Sequence, residues 1–412
     1  MKSSRNIIDN TTFMNMRKSV MTNILLLHEG EQPTLEEIYR SFQYLVRTRD
    51  VSVEKVNASR CNKNVLQKAD VIICVRGQSP ISYAILKIAA KSKIKIFYYL
   101  DDDLKDMPKG SFWYPERKKW LLKCIGLCEG LMTPNPLIAD EYMDYLNCRR
   151  AIVINTAVKP EAIQKSRKLG ANVKIVMAAS EWHTVNFEKY VKPAYIQLEK
   201  KYHNQLEFWF VGLHPDMREI TDQQMVHYVP SMNLEAYVLF MTENKFDIGI
   251  AVLNPDHFNE RKYYNKFIEY TRYGICGIYS KCMPYELVIQ DRSNGFFTNN
   301  TSEEWYTTLC DAIDYADLRQ QCINNAQEYL RTNHKEEYIF EQLIADCPEL
   351  VTYSINNETS FTISKVLPWK FRQLIFRTCE TIFLTFSSLS HFGIGITIQK
   401  MKRKIGVGGG RG

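Results

Sequence analysis

The chain has 412 residues, 45% hydrophobic, 24% charged and 12% aromatic, which suits two or three domains with ordinary cores and excludes a single small module, wholesale disorder and a polytopic membrane protein. Its net charge of +7 is concentrated: residues 363–412 carry nine Lys and Arg against Glu380 alone, and the remainder is close to neutral. A generally basic surface of the kind that binds nucleic acid is therefore excluded as well.

Residues 1–22 contain no continuous apolar run of the kind a secretory signal needs, so they read as an extension of a cytosolic protein. The eleven cysteines form no C-x-x-C pair, which predicts free thiols in a reducing compartment. From Asn23 short apolar runs alternate with helical periods. The runs NILLL (23–27), VSVEKV (51–56), VIICV (71–75), IKIFYYL (94–100), GLMT (130–133) and AIVIN (151–155) predict strands. The spacing of Leu35, Ile38, Phe42 and Leu45 predicts a helix opened by a Thr34/Glu37 capping box, and Ile81, Ala84, Ile85 and Ile88 predict another. Such alternation implies a parallel sheet covered on both faces, over 23–157.

The rhythm breaks over a polar, Lys-rich stretch (156–172), read as a linker centred on 158–172. A second series follows with strands at 173–179, 206–212, 225–229, 246–253 and 275–279, and helices from Ser302 to about Asp346 close a second domain, 173–346. Neither half holds a G-x-G-x-x-G turn, so the pattern is a doubled α/β architecture of two Rossmann-like domains rather than one dinucleotide domain.

Residues 265–313 run K-F-x-E-Y, a Gly and a buried strand, Ser, P-Y-E, N-G-F and an E-W helix. That order resembles the donor-binding end of GT-B glycosyltransferases. The likeness covers about 173–346, extends at the level of rhythm over 23–155, and leaves out the tail. It implies two domains with parallel sheets facing a central cleft, a nucleotide-sugar donor of UDP or GDP type on the second, and an acceptor on the first. No obligatory cofactor is implied; magnesium is compatible but not required. A diphosphate leaving group needs cations or backbone donors, and a ribose needs a carboxylate. By resemblance Glu269 binds the ribose and Lys266 the diphosphate, with Arg261 or Lys262; the competing account of Lys266 and Glu269 is a solvated helical ion pair. Retaining members carry E-x7-E, but here the residue eight before Glu269 is Arg261 and Glu260 comes one place early, so retention is a lean only. Ser180 and His183 follow a strand where a phosphate is met, and Pro230 ends a strand where related enzymes hold the base.

Asp101, Asp102 and Asp103 directly follow the strand IKIFYYL, at a sheet edge where α/β proteins place ligands. As a D-x-D they have the spacing of a metal site; in the GT-B reading they line the acceptor side and one serves as base. The second α/β series favours the latter. A helix cap with solvated acids is the third account. Arg76 and Gly77 end another strand and are assigned to acceptor or phosphate.

In the tail, 347–412, Leu367, Phe371, Leu374, Ile375, Ile382, Phe386 and Leu389 recur at helical spacing, and KMKRK follows. This reads as an interfacial amphipathic helix on an anionic membrane surface, the alternative being a helix that packs back on the first domain. The resulting expectation is a glycosyltransferase of bacterial surface polysaccharide or glycan assembly, cytoplasmic and peripheral at the inner membrane face, using a glycan or lipid-linked acceptor. An epimerase or hydrolase on the same fold, or a non-catalytic sugar-nucleotide-binding scaffold, is the alternative.

Overall fold

The computed structural model describes residues 21–107, 114–145, 150–158, 172–220, 225–355 and 363–404, with side chains of the last segment described over 368–390. Most of the predicted N-terminal extension, the predicted linker beyond Val158, Leu367 and the KMKRK side chains lie outside these residues.

The first domain alternates β1 (Thr22–His28), α1 (Pro33–Thr48), β2 (Val51–Asn57), α2 (Lys63–Lys68), β3 (Val71–Val75), α3 (Pro80–Lys91), β4 (Lys95–Tyr99), α4 (Glu116–Ile125), β5 (Gly130–Thr133), α5 (Pro136–Met143) and β6 (Ala151–Val153). All six strands are parallel, in the order β2-β1-β3-β4-β5-β6. Along β1, Leu25 and Leu27 enter the core beneath α3 and α4 while Ile24 and Leu26 enter the core beneath α1. Burial on both faces is why the strand reads as an unbroken apolar run rather than an alternation.

The second domain holds β7 (Val173–Ala178), a short turn α6 (Thr184–Asn186), α7 (Lys192–Tyr202), β8 (Leu206–Val211), β9 (Val226–Val229), α8 (Leu234–Asn244), β10 (Ile248–Ala251), α9 (His257–Glu260), α10 (Asn265–Arg272), β11 (Cys276–Ser280), β12 (Phe296–Thr298), α11 (Ser302–Asp314) and α12 (Ala316–Asn333). Its sheet is again parallel, ordered β12-β11-β10-β7-β8-β9. The strand order reverses between β7 and β10, the point at which α/β sheets open a ligand crevice.

The chain then returns. In and between α13 (Glu336–Asp346) and α14 (Glu349–Thr352), the residues Ile339, Phe340, Leu343, Cys347 and Leu350 sit in the first domain's core with Ile24, Phe42 and Ile73. Phe340 meets Phe42 edge-on at 5.5 Å, and Arg47–Glu336 (2.7 Å) and Arg49–Glu341 (2.5 Å) tie the returning segment to the end of α1. The expectation ends the second half at Asp346; in space the crossing comes a helix earlier.

Last comes α15 (Ile363–Lys404), 42 residues long. Trp369 packs on Tyr83 of α3 at 5.5 Å and Phe376 on Tyr114 at 5.3 Å, while Ile81 N–H donates to the Gln373 side chain at 3.2 Å. Glu380 is buried by ion pairing with Arg117 and lies 3.1 Å from Arg377. The opposite face leaves Phe371, Leu374 and Phe386 at 65%, 64% and 69% exposure, with Ile375 and Ile382 about half exposed. The packing account of the tail is met on one face of the helix, and the opposite face is apolar and exposed. Among the described residues no helix is long and apolar enough to cross a membrane.

Candidate functional site

A cavity of about 510 Å³ opens at the reversal of the second sheet, lined by Ser180 and His183 after β7, Gly212 after β8, Val252 and Leu253 after β10, Lys262 and Lys266 around the start of α10, and Asp102 from the first domain. Gly212 has φ +83, and a Cβ there would stand 2.6 Å from the Ala179 carbonyl. Only glycine lets the two strand ends approach this closely.

Positive charge dominates the cavity floor. Lys262 Nζ lies 3.5 Å from Asp102 Oδ1, and Lys266 Nζ donates to Glu269 at 2.7 Å. Burial first, then the two lysines, hold the His183 imidazole down at about 3, so it is neutral at physiological pH. Glu269 also accepts from the Tyr237 hydroxyl, and its carboxylate lines an adjoining cavity of about 430 Å³ that shares Tyr237 and Asn265 with the first. Arg261, the alternative phosphate ligand, turns instead to Glu141 of the first domain and to the His257 carbonyl. Glu260 and Pro230 are not among the lining residues of either cavity; Ser231 and Met232, just beyond Pro230, are.

The three consecutive aspartates are sorted to three environments. Asp101 is buried between Arg76 and the Thr34 hydroxyl, which donates at 2.8 Å. Asp102 accepts from Arg76 Nη2 at 2.9 Å and alone of the three reaches the cavity of the second domain. Asp103 is fully buried: its Oδ1 accepts from Tyr142 at 2.7 Å and its Oδ2 faces His257 at 3.6 Å. Burial pushes its carboxyl up from the usual range. Asp101 and Asp103 therefore have no common partner, and the D-x-D spacing does not become a shared ligand pair. Arg76 adopts φ 49 without being glycine, a strained conformation fixed by its two carboxylates. Burial alone would lower its pKa, and those carboxylates outweigh it and hold it above the ordinary arginine value. Gly77 lies beneath, where a Cβ would meet Cys74 Sγ at 2.4 Å, and its carbonyl accepts from Tyr98 at 2.7 Å; neither Gly77 nor Arg76 lines either cavity.

Among the described residues one cluster has the composition of a metal site: Asp103, Asp106, Glu141 and His257 offer ligand atoms within 4.8 Å of one another. It carries its own cations, since Lys105 pairs with Glu141 and with Asp106 (3.1 Å) and Arg261 pairs with Glu141. It joins the two domains as an ion-pair network.

Two site features escaped the sequence. The predicted capping box does not form: α1 begins at Pro33 with no side-chain cap, Thr34 donates to Asp101, and Glu37 faces the space between the domains, where burial pushes it up to about 7. Asn135 caps α5 by accepting from Leu137 N–H at 2.8 Å, and its amide reaches across to the second domain. A cap before Pro136 was legible; its second use was not.

No protein-family model matches the chain, and no curated protein matches it in sequence. Solved structures match its fold. A glycosyltransferase from Rickettsia africae ESF-5 is 13% identical, aligned over 81% of this chain and 100% of that one with a TM-score of 0.55. The Anabaena HepE protein, solved with UDP-glucose, is 14% identical over 79% of this chain and 99% of its own, with a TM-score of 0.53. An assigned UDP-N-acetylglucosamine 2-epimerase from Listeria monocytogenes is 11% identical over 83% and 100%, with a TM-score of 0.52. At these identities the likeness is one of fold, and the two parallel six-stranded sheets facing a cleft are the GT-B architecture.

Proposed function

We propose that the protein transfers a sugar from a nucleoside diphosphate donor to an acceptor hydroxyl in glycan assembly. The observation that carries this reading is the cavity at the reversal of the second sheet, where Lys262, Lys266 and a neutral His183 converge beside Asp102 of the opposite domain. Lys266 and Lys262 balance the charge that develops on the departing diphosphate, Ser180 and His183 donate to its oxygens, and Glu269 takes the ribose hydroxyls. The acceptor oxygen forms a bond to the anomeric carbon as the bond to the β-phosphate oxygen breaks, its proton passes to that departing oxygen, and the nucleoside diphosphate leaves. Asp102, held by Arg76, orients the acceptor hydroxyl at the mouth of the cleft. Retention of configuration is our working assignment, to be read from the anomeric coupling of the product.

The donor class is tested by thermal shift with UDP, GDP, CDP, ADP and dTDP, each with and without magnesium. Selective stabilisation by UDP or GDP without metal is expected. Binding that requires the metal would remove the Lys262/Lys266 assignment, and no stabilisation by any nucleotide would remove the transferase reading. An epimerase, favoured by the fold shared with the Listeria protein, would form product from the donor alone.

We place the protein at the cytoplasmic face of a membrane, with no role in nucleic-acid binding. Support comes from the exposed Phe371, Leu374, Ile375, Ile382 and Phe386 stripe of α15, flanked by exposed Lys370 and Arg372. A lipid-linked acceptor would be met there.

A further inference from the structure

Past Tyr237 and Asn265 the donor-side cavity continues into the cavity of about 430 Å³ between α1 and α10. Its charges are unevenly satisfied. Arg47 is paired with Glu336 at 2.7 Å, and Glu269 with Lys266 and Tyr237. Arg40 and Arg272 also line it, from opposite domains, and neither has an ion pair or a side-chain hydrogen bond among the described residues. Arg272 Nε is buried without any acceptor. The remaining acid is Glu37, which burial pushes up to about 7, so it neutralises at most one guanidinium. A buried N–H with no acceptor is a made-to-measure cost unless something else supplies the oxygen.

We propose that this cavity is an anion subsite in which Arg40 and Arg272 close from the two domains on a phosphate group of the acceptor. Two guanidinium forks lining one cavity from two domains suit a tetrahedral phosphate, which accepts on several sides, better than a planar carboxylate that one fork satisfies. The acceptor assignment rests on the transferase reading; the anion site does not. Because one arginine comes from each domain, occupancy also favours the closed cleft.

The test titrates full-length wild type, Lys266→Ala, Arg40→Gln, Arg272→Gln and Arg272→Lys with inorganic phosphate, and in parallel with UDP. Phosphate affinity is expected to fall at least tenfold in Arg40→Gln and Arg272→Gln and to persist in Lys266→Ala, with UDP affinity unchanged in Arg40→Gln. Since Arg40 is exposed, that variant keeps the fold even if the Arg272 variants do not. Wild type that ignores phosphate, or phosphate binding lost in Lys266→Ala alone, overturns the subsite. Failure of wild type to bind any of the five nucleoside diphosphates would instead strike the transferase reading and leave the phosphate result standing. A hexose 6-phosphate and vesicles bearing a polyprenyl phosphate distinguish a soluble from a lipid-linked source: Arg272-dependent binding of either supports the site, and binding of both without Arg272 dependence overturns it.

Discussion

The side-chain amide of Asn135, in the first domain, donates to the main-chain carbonyl of Lys262, in the second, at 2.6 Å, and to that of Glu260 at 3.0 Å. The loop that carries a cavity lysine is thereby held by the opposite domain, so the placement of Lys262 and the approach of the domains share one anchor. Asn135→Asp keeps the acceptor that caps α5 and removes the two donations. We expect the melting temperature to move little and nucleotide affinity to fall about tenfold, roughly 1.4 kcal/mol. Nucleotide affinity unchanged in Asn135→Asp would make Asn135 a cap and nothing more.

Glu269→Ala and Asp102→Asn separate the two sides of the cleft. Losing a charged acceptor for the ribose costs about 1.5–3 kcal/mol of nucleotide binding, so Glu269→Ala should weaken UDP or GDP at least tenfold. Asp102→Asn should leave nucleotide affinity unchanged and lower turnover. Calorimetry with the nucleotide alone, beside turnover assays, decides; equal nucleotide affinity in wild type and Glu269→Ala would sink the donor-site assignment.

His334 gives the stability a direction in pH. The ring is fully buried between the domains' connections, near the Thr156 carbonyl at 2.8 Å, and burial outweighs that carbonyl to hold it down at about 4. The unfolded chain takes up the proton near 6.5. Stability from the neutral ring is therefore complete above about pH 6.5 and is lost as pH falls toward 4, by about 2–3 kcal/mol. Glu37, held up at about 7, acts the other way: its contribution is complete below about 4.5 and lost as pH rises through 7. Urea unfolding between pH 4 and 8 should show a flattened acid limb in His334→Gln and a flattened neutral limb in Glu37→Gln. Unchanged limbs in both variants would contradict these assignments.

On α15 the two faces predict opposite phenotypes. Phe371→Ser with Phe386→Ser removes exposed side chains, so melting should be unchanged while sedimentation with anionic vesicles falls at least tenfold. Glu380→Gln leaves Arg117 buried with a weakened partner, and a cost of about 3 kcal/mol is expected. Vesicle binding that survives the double serine variant would exclude the membrane face.

Strands were legible because a parallel sheet buries both faces, and runs such as VIICV show it locally. Their order in the sheets was not, since nothing in β3 names β1 and β4 as neighbours. The triple aspartate was recognisable as a strand-end feature, but its division among Arg76, Lys262 and Tyr142 depends on residues 25 to 160 positions away. Thr34 and Glu37 show the limit most clearly. Their spacing matches a capping box, yet a buried Asp101 captures the threonine hydroxyl and the cleft captures the glutamate. Tail periodicity likewise revealed a helix, but nothing about Glu380, a lone acid in a basic segment, named the Arg117 that it pairs with.

The return of α13 and α14 makes the second domain an insertion in the first. A ribosome delivers the six strands of the first sheet long before Phe340 and Leu350, which seal one of its faces. Until then Ile24, Leu26 and Ile73 have α1 over them but lack the cover of α13 and α14 while the whole second domain is made and folds. The N-terminal domain of this chain is thus expected to mature last, and its half-covered sheet is the species that a chaperone would meet during synthesis.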